Sequence, residues 1–199
     1  MQVKCQWVEQ EFDGLIPSLK VGKINAIMSS MAITEDRRKA VRFTDRYYQS
    51  ASRIAMKQGA TLGNDFSELK GKRVGVQRAG THDRFATDVL AAAGAEIVRY
   101  SKLDEAYLDL MAGRLAAVQG DDVAIRLGFL GTENGKGYAF AGKPLRDPKY
   151  FGDGVGIAVR KNDKALAERF NTGIAALLAN GEYEKIEQKY FDFDLYGRE

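Results

Sequence analysis

The strongest constraint on the fold is a regular alternation of short β-branched runs with helical stretches that stop at glycine. "GKRVGV", "AEIVRY" and "RLAAVQG" read as strands. The intervening "THDRFATDVLAAAG" and "LDEAYLDLMAG" carry apolar residues at helical spacing and end at Gly94 and Gly113. Strand and helix in repeated alternation specify α/β architecture, because a parallel strand needs a crossover to return the chain to the same end of the sheet. The pattern extends in both directions. Upstream, "VKCQWV" alternates as a strand, "FDGLIPSLKVGK" is a short helix with Pro17 near its start, and "INAIMSS" is a buried strand. Thr34 then caps a helix through "EDRRKAV", and the long "YYQSASRIAMKQG" is β-rich. Downstream come the helical "DDVAIRLGFL", a glycine-rich loop through "GTENGKG" and the strand "GVGIAVRK". An alanine-rich helix, "DKALAERFNTGIAALLANG", and a final helix, "EYEKIEQKYF", complete the chain.

Composition narrows the function classes. At 199 residues and 45% hydrophobic content the chain can bury one core or two small ones. Its 30 basic and 27 acidic residues are scattered along the sequence with no block of like charge, which argues against nucleic acid as a partner. No apolar run approaches the roughly 20 residues that span a bilayer, and the first residues lack the charged and apolar regions of a signal peptide. Cys5 is the only cysteine, which excludes an internal disulfide, a cysteine-based zinc site and a CxxC redox pair. His82 is the only histidine and cannot build a metal site by itself, so neither metal nor cofactor is implied.

Four places at strand ends carry side chains suited to a ligand. In "SSMAITEDRR", Ser29, Ser30 and the N–H groups near Thr34 offer donors where an open α/β sheet usually binds its ligand, and Arg37 adds a planar two-pronged partner for a carboxylate. A solvated Arg37 paired with a neighbouring acid satisfies the same spacing. "VGVQRAGTHDRF" runs from a strand through glycine into Thr81 at a helix start, so the loop can wrap an anion, yet it matches neither GxGxxG nor GxxxxGK[ST] and nucleotide binding is not expected. His82 falls in the first turn of that helix, where it either makes a surface contact or donates a hydrogen bond to a ligand. Asp121, at the end of "AAVQGD", is an N-cap or a carboxylate facing an ammonium. Phe12 is a core residue or an apolar wall for a ligand stem.

Taken together, "CQWVEQEFDGLIPSLKVGKINAIMSSMAITEDRRKAVRFTDRYY", "LKGKRVGVQRAGTH", "AGRLAAVQGDD", "YAFAGKPLRDPKYFGDGVGIAVRK" and "KYFDFDLYG" resemble the periplasmic binding proteins for basic amino acids. The likeness is to the lysine/arginine/ornithine-binding and histidine-binding proteins of polar amino-acid ABC importers, and it covers essentially the whole chain. It implies a type II two-lobed α/β clamshell that closes over a free amino acid, with no catalytic activity, and delivers it to a permease in the inner membrane. Lobe one is expected over residues 1–50 plus 154–199 and lobe two over 51–153, with crossovers near Gln49–Arg53 and Phe151–Gly154.

By the same resemblance, Arg37 grips the ligand α-carboxylate, Thr81 donates to it, Asp121 receives the α-ammonium and Phe12 packs on the side-chain stem. The family's Ser-Ser-x-Ser run stands here as Ser29, Ser30, Met31, Ala32, without the third hydroxyl. Gln77 stands where the family usually has an apolar residue, Gly80 where serine is common and His82 where glutamine is common, so the resemblance does not assign which amino acid is preferred.

The family also begins with a leader, a strand and a helix ahead of the residues that match "MQVKC", including an acid and an aromatic for the ligand's cationic end and a cysteine partner for Cys5. Their absence from this sequence sets up the expectation of an opened pocket wall, a free Cys5, and weak binding or self-association through the lobe-one sheet. Two other functions share the fold. One is an enzyme resembling the cyclohexadienyl dehydratases, against which Asp121 beside Arg37 argues, and the other is the sensor domain of a receptor.

Overall fold

The computed structural model describes residues 3–197. In chain order the helices are α1 (Leu15–Lys20), α2 (Glu35–Ala40), α3 (Thr81–Phe85), α4 (Leu103–Met111), α5 (Asp122–Ile125), α6 (Pro148–Phe151), α7 (Lys164–Ala179) and α8 (Glu182–Glu187). The strands are β1 (Ala26–Ile27), β2 (Val41–Tyr48), β3 (Ser52–Lys57), β4 (Arg73–Gln77), β5 (Glu96–Tyr100), β6 (Ala117–Asp121), β7 (Tyr138–Leu145) and β8 (Val155–Arg160). They form two compact units. Residues 1–10, 14–50 and 152–199 make the first, and residues 11–13 and 51–151 the second.

The first unit is built on a three-stranded antiparallel sheet ordered β1-β8-β2. Strand β8 is its centre. Its residues Val155–Val159 are all buried, as expected for a strand flanked on both edges. The chain closes tightly where it enters this strand. Gly152 has φ +68°, and a Cβ there would meet the Ile33 carbonyl oxygen at 2.0 Å, so no other residue fits without moving the backbone. The C-terminal tail is held by hydrogen bonds: the buried Glu187 carboxylate accepts from the N–H groups of Leu195 and Tyr196, and Leu195 accepts from Gln49 N–H.

The second unit contains a five-stranded mixed sheet ordered β5-β4-β6-β3-β7. Strand β4 pairs in parallel with β5 and β6, and β3 pairs antiparallel with β6 and β7. The chain leaves β4 toward one neighbour and returns on the other side as β6, which creates a topological switch point at the carboxyl ends of these two strands. Two apolar clusters pack on the sheet. One contains Ile54, Val74, Val76, Phe85 and Leu90, and the other Ala55, Tyr107, Leu110, Val118, Ile125 and Phe129. Phe129 stacks on Tyr107 with ring centroids 4.7 Å apart and planes within 9°.

The expected α/β class is observed, with Gly94 and Gly113 at positive φ after the helical segments they were expected to close. Three local readings differ. The expected buried strand "INAIMSS" pairs only over Ala26–Ile27, and Met28, Ser29 and Ser30 beyond it are exposed. Val3–Val8 is not a strand: it forms no ladder among the described residues, and Val3, Trp7 and Val8 are exposed. Alternation predicts a strand only where a neighbour supplies hydrogen bonds and a buried face. Strand β7, conversely, followed a glycine-rich loop and was not anticipated. Gly142 interrupts it at φ +69°, and its exposed half carries Lys143 and Pro144 rather than the apolar pattern of a buried strand.

Candidate functional site

In the first unit, the segment after β1 carries Ser29, Ser30 and Ala32 alongside the beginning of β8. Ala32 bridges Val155, Ile33 N–H donates to the Gly154 carbonyl at 2.8 Å, and Gly156 N–H donates to the Met31 carbonyl. Met31 is fully buried and pins the loop, whereas Ser29 and Ser30 are exposed. Ser30 has φ +51°, a left-handed conformation that costs a non-glycine residue energy and is found most often where function requires it.

The loop ends at Thr34, whose hydroxyl accepts from Arg37 N–H at 3.3 Å and caps α2, as the sequence indicated. The cap also places the guanidinium: Arg37 Nη1 donates to the Ala32 carbonyl at 3.1 Å, folding the arginine back over the serine loop. Burial pulls its pKa down to about 10, so it remains charged at neutral pH but short of solvation. Thr34→Ala should lower stability by about 1 kcal/mol through loss of the cap. It should also weaken any ligand that uses Arg37, and a chemical melt paired with ligand titration checks both.

In the second unit, Gln77 ends β4, Gly80 precedes α3, and Thr81 and His82 open it. Ala79 within the loop has φ +59°. A Cβ on Gly80 would approach the Gln77 carbonyl oxygen to 3.3 Å, so a serine here would require a small shift. Asp83 secures the loop from below, accepting from Ala79 N–H at 3.2 Å and pairing with Arg99 at 2.8 Å. The His82 ring lies 5.6 Å from that of Phe151, tilted by 34°, an aromatic contact that the sequence did not reveal.

Gln77 is oriented by its Nε2, which donates to the Ser101 carbonyl at 3.1 Å. Only the amide nitrogen can donate to a carbonyl, so the oxygen is the end of the carboxamide able to accept.

Asp121 ends β6, the parallel neighbour of β4, so its carboxylate and the Gln77–His82 loop share one edge of the same sheet. The carboxylate accepts from Ala124 N–H at 3.1 Å, so the N-cap reading is correct. A carboxylate can accept several hydrogen bonds, so capping does not exclude ligand contact. The Tyr107 hydroxyl is held well above its ordinary pKa by burial first, then by the negative charges of Asp104 and Asp121.

Sequence reading missed the support behind Asp121. Asp122 pairs with Arg126 at 3.0 Å and with Arg53 at 3.7 Å, and the Arg53 guanidinium lies 4.3 Å from the Phe140 ring centroid. Ser52, backbone partner of Asp121, accepts a buried hydrogen bond from Gln119 at 3.0 Å. The "GDD" pair was the available signal, since two adjacent acids at a helix start need separate partners. Both helices leaving this edge widen into π turns, over Ala86–Leu90 and Arg126–Leu130, a feature frequent at functional sites.

Phe12 opens a 3-10 turn, Phe12–Gly14, and is half-buried, neither a core residue nor fully exposed. The expected residues thus form two groups. Ser29, Ser30, Ala32 and Arg37 are gathered on one loop and helix of the first unit, and Gln77, Gly80, Thr81, His82 and Asp121 on adjacent strand ends of the second. Cys5 is exposed and free. Among the described residues no cluster of His, Cys, Asp or Glu is arranged to hold a metal, and no helix is long and apolar enough to cross a membrane.

The chain is 57% identical over 197 residues to an L-arginine-binding protein of Pseudomonas aeruginosa, covering 99% of this chain and 76% of that one. It is 45% identical over 197 residues to the lysine/arginine/ornithine-binding periplasmic protein of Escherichia coli, with the same coverage. Among solved structures, a Salmonella typhimurium periplasmic binding protein of high arginine specificity superimposes with a TM-score of 0.86 at 35% identity, covering 96% of this chain and 82% of that one. Residues 1–193 match the sequence profile of the bacterial extracellular solute-binding proteins, family 3. A match of that extent, with the type II fold and a ligand-type loop on each unit, means that the chain belongs to the bacterial extracellular solute-binding proteins of family 3.

Proposed function

We propose that this protein is the solute-binding component of an ABC importer, that it takes up a free basic amino acid in the periplasm, and that arginine is its preferred ligand. One observation carries the reading. Strand-end loops present a desolvated cation, Arg37, and a carboxylate, Asp121, the two charges complementary to an α-carboxylate and an α-ammonium. Ser30 and Thr81 add hydroxyls, and Phe12 supplies an apolar wall. The arginine preference rests on the named relatives, an L-arginine-binding protein and a periplasmic binding protein of high arginine specificity. Delivery to a membrane permease follows from the same assignment.

Titration calorimetry of refolded, ligand-stripped protein against arginine, lysine, ornithine, histidine and glutamine tests the reading. Tight, selective binding of a basic amino acid is expected, and a folded sample that binds none of the five overturns it.

Gln77 gives this chain its own specificity element. With Nε2 committed to Ser101, its oxygen is an acceptor suited to the donor-rich end of a guanidinium or ammonium side chain. Gln77→Leu should weaken arginine by about 10- to 100-fold, the range for one hydrogen bond to a charged group, and should weaken histidine much less. An equal loss for both ligands would show that Gln77 does not discriminate.

A further inference from the structure

Three segments of the first unit that carry basic side chains meet at one end of its sheet. They are the end of α1 with Lys20 and Lys23, the passage from α2 into β2 with Arg38 and Arg42, and the end of β8 with Arg160 and Lys161. The segments are tied to each other through main-chain carbonyls. Arg42 Nε donates to the Lys161 carbonyl at 3.2 Å, Lys161 Nζ to the Arg38 carbonyl, and Arg160 Nη1 to the Ile24 carbonyl at 3.0 Å. A cleft of about 550 Å³ lined by Lys20, Ala40, Arg160, Lys161, Asn162 and Asp163 lies between them.

Arg160 is paired with Asp163 at 3.3 Å. Lys20, Lys23, Arg38, Arg42 and Lys161 have no carboxylate within ion-pair distance among the described residues. Of the acids on these segments, Asp36 is paired with Lys39 and Asp163 with Arg160, which leaves the five cations in excess over the exposed Glu35.

The chemistry of the patch favours one kind of partner. A discrete small anion is normally held by buried, pre-oriented donors, whereas Lys20, Lys23 and Arg38 are exposed on long stems. Such side chains suit a diffuse negative surface, to which each adds attraction without a fixed geometry. Val21 stands between Lys20 and Lys23 with 71% of its surface exposed, an apolar tip flanked by cations, as at a headgroup boundary.

We infer that this end of the first unit rests on a bilayer surface rich in anionic glycerophospholipid headgroups, keeping the protein near the membrane independently of whether a ligand is bound. The inference stands apart from the amino-acid site, since none of its residues is placed there.

The test is co-sedimentation with vesicles of phosphatidylcholine alone and of phosphatidylcholine with phosphatidylglycerol, at low and high sodium chloride. Binding is expected to the anionic vesicles only, and to fall at least tenfold in high salt. Lys20→Gln with Lys23→Gln should reduce partitioning by about fivefold per lysine, and Val21→Ser by a smaller factor. Neither lysine makes an ion pair, so far-ultraviolet circular dichroism and the melting temperature should be unchanged and report that the variant is folded. Equal partitioning to both vesicle types, no partitioning, or full retention by the folded double variant overturns the inference. So does binding of glycerol phosphate in solution without preference for anionic vesicles, or of soluble polyglutamate in place of vesicles, because either would assign the patch to another anion.

Discussion

Asp121→Asn should cost a basic amino acid about 2–5 kcal/mol of binding free energy while leaving the fold intact, the range for removing one partner of a buried charge pair. The carboxylate has two duties, and the substitution separates them. As N-cap of α5 it accepts from Ala124 N–H at 3.1 Å, and an asparagine oxygen does this equally well. As the proposed partner of an α-ammonium it must carry negative charge, which asparagine lacks. Asp121→Ala removes both and should lower stability by about a further 1 kcal/mol. Urea denaturation of the ligand-free variants, read with calorimetric affinities, distinguishes the two effects. Undiminished affinity in Asp121→Asn would remove Asp121 from the ligand site even if the alanine variant is destabilised.

Arg37→Met is expected to act in the opposite proportion to an ordinary core substitution, losing about 2–5 kcal/mol of ligand affinity while ligand-free stability changes by about 1 kcal/mol or less. Burial lowers the folded-state pKa to about 10, below that of the unfolded chain, so between the two values the unfolded chain binds more protons than the folded one. Stability therefore rises with pH across that window, and at neutral pH the desolvated charge is a burden on the empty protein. Methionine keeps an apolar stem and removes the charge, and the relief opposes the loss of the hydrogen bond to the Ala32 carbonyl. A bound carboxylate reverses the balance, because it compensates the cation where water cannot. Melting curves with and without arginine would read this directly: wild type should gain several degrees from ligand and Arg37→Met little. A variant that melts far below wild type but binds normally would reassign Arg37 to the scaffold.

Both residues were visible in the sequence as ambiguous features. Thr34 before "EDRR" predicted the α2 cap, and the cap is what fixes Arg37 on the serine loop. Asp121 before a helix read as a cap, which it is, but sequence spacing could not show that β6 lies beside β4 in parallel and so brings Asp121 to the edge occupied by Gly80, Thr81 and His82. That proximity comes from hydrogen bonding between strands more than 40 positions apart. Local signals also failed in both directions: Val3–Val8 alternates but has no neighbouring strand, while β7 pairs with β3 despite Gly142 in its middle. Strand propensity is realised only against a partner, so it is read poorly from one segment alone.

The sequence by itself determined the α/β class, most helix and strand positions, and the kinds of side chain at each strand end, since these depend on local periodicity, capping and glycine stops. The tertiary structure alone decided which strand ends share an edge, which end of Gln77 can accept, how Arg53 and Arg126 hold Asp122, and how Lys20, Arg160 and Lys161 come to line one cleft. These facts arise from contacts between distant segments, whose formation depends on the packing of the whole unit and leaves no periodic trace in the chain.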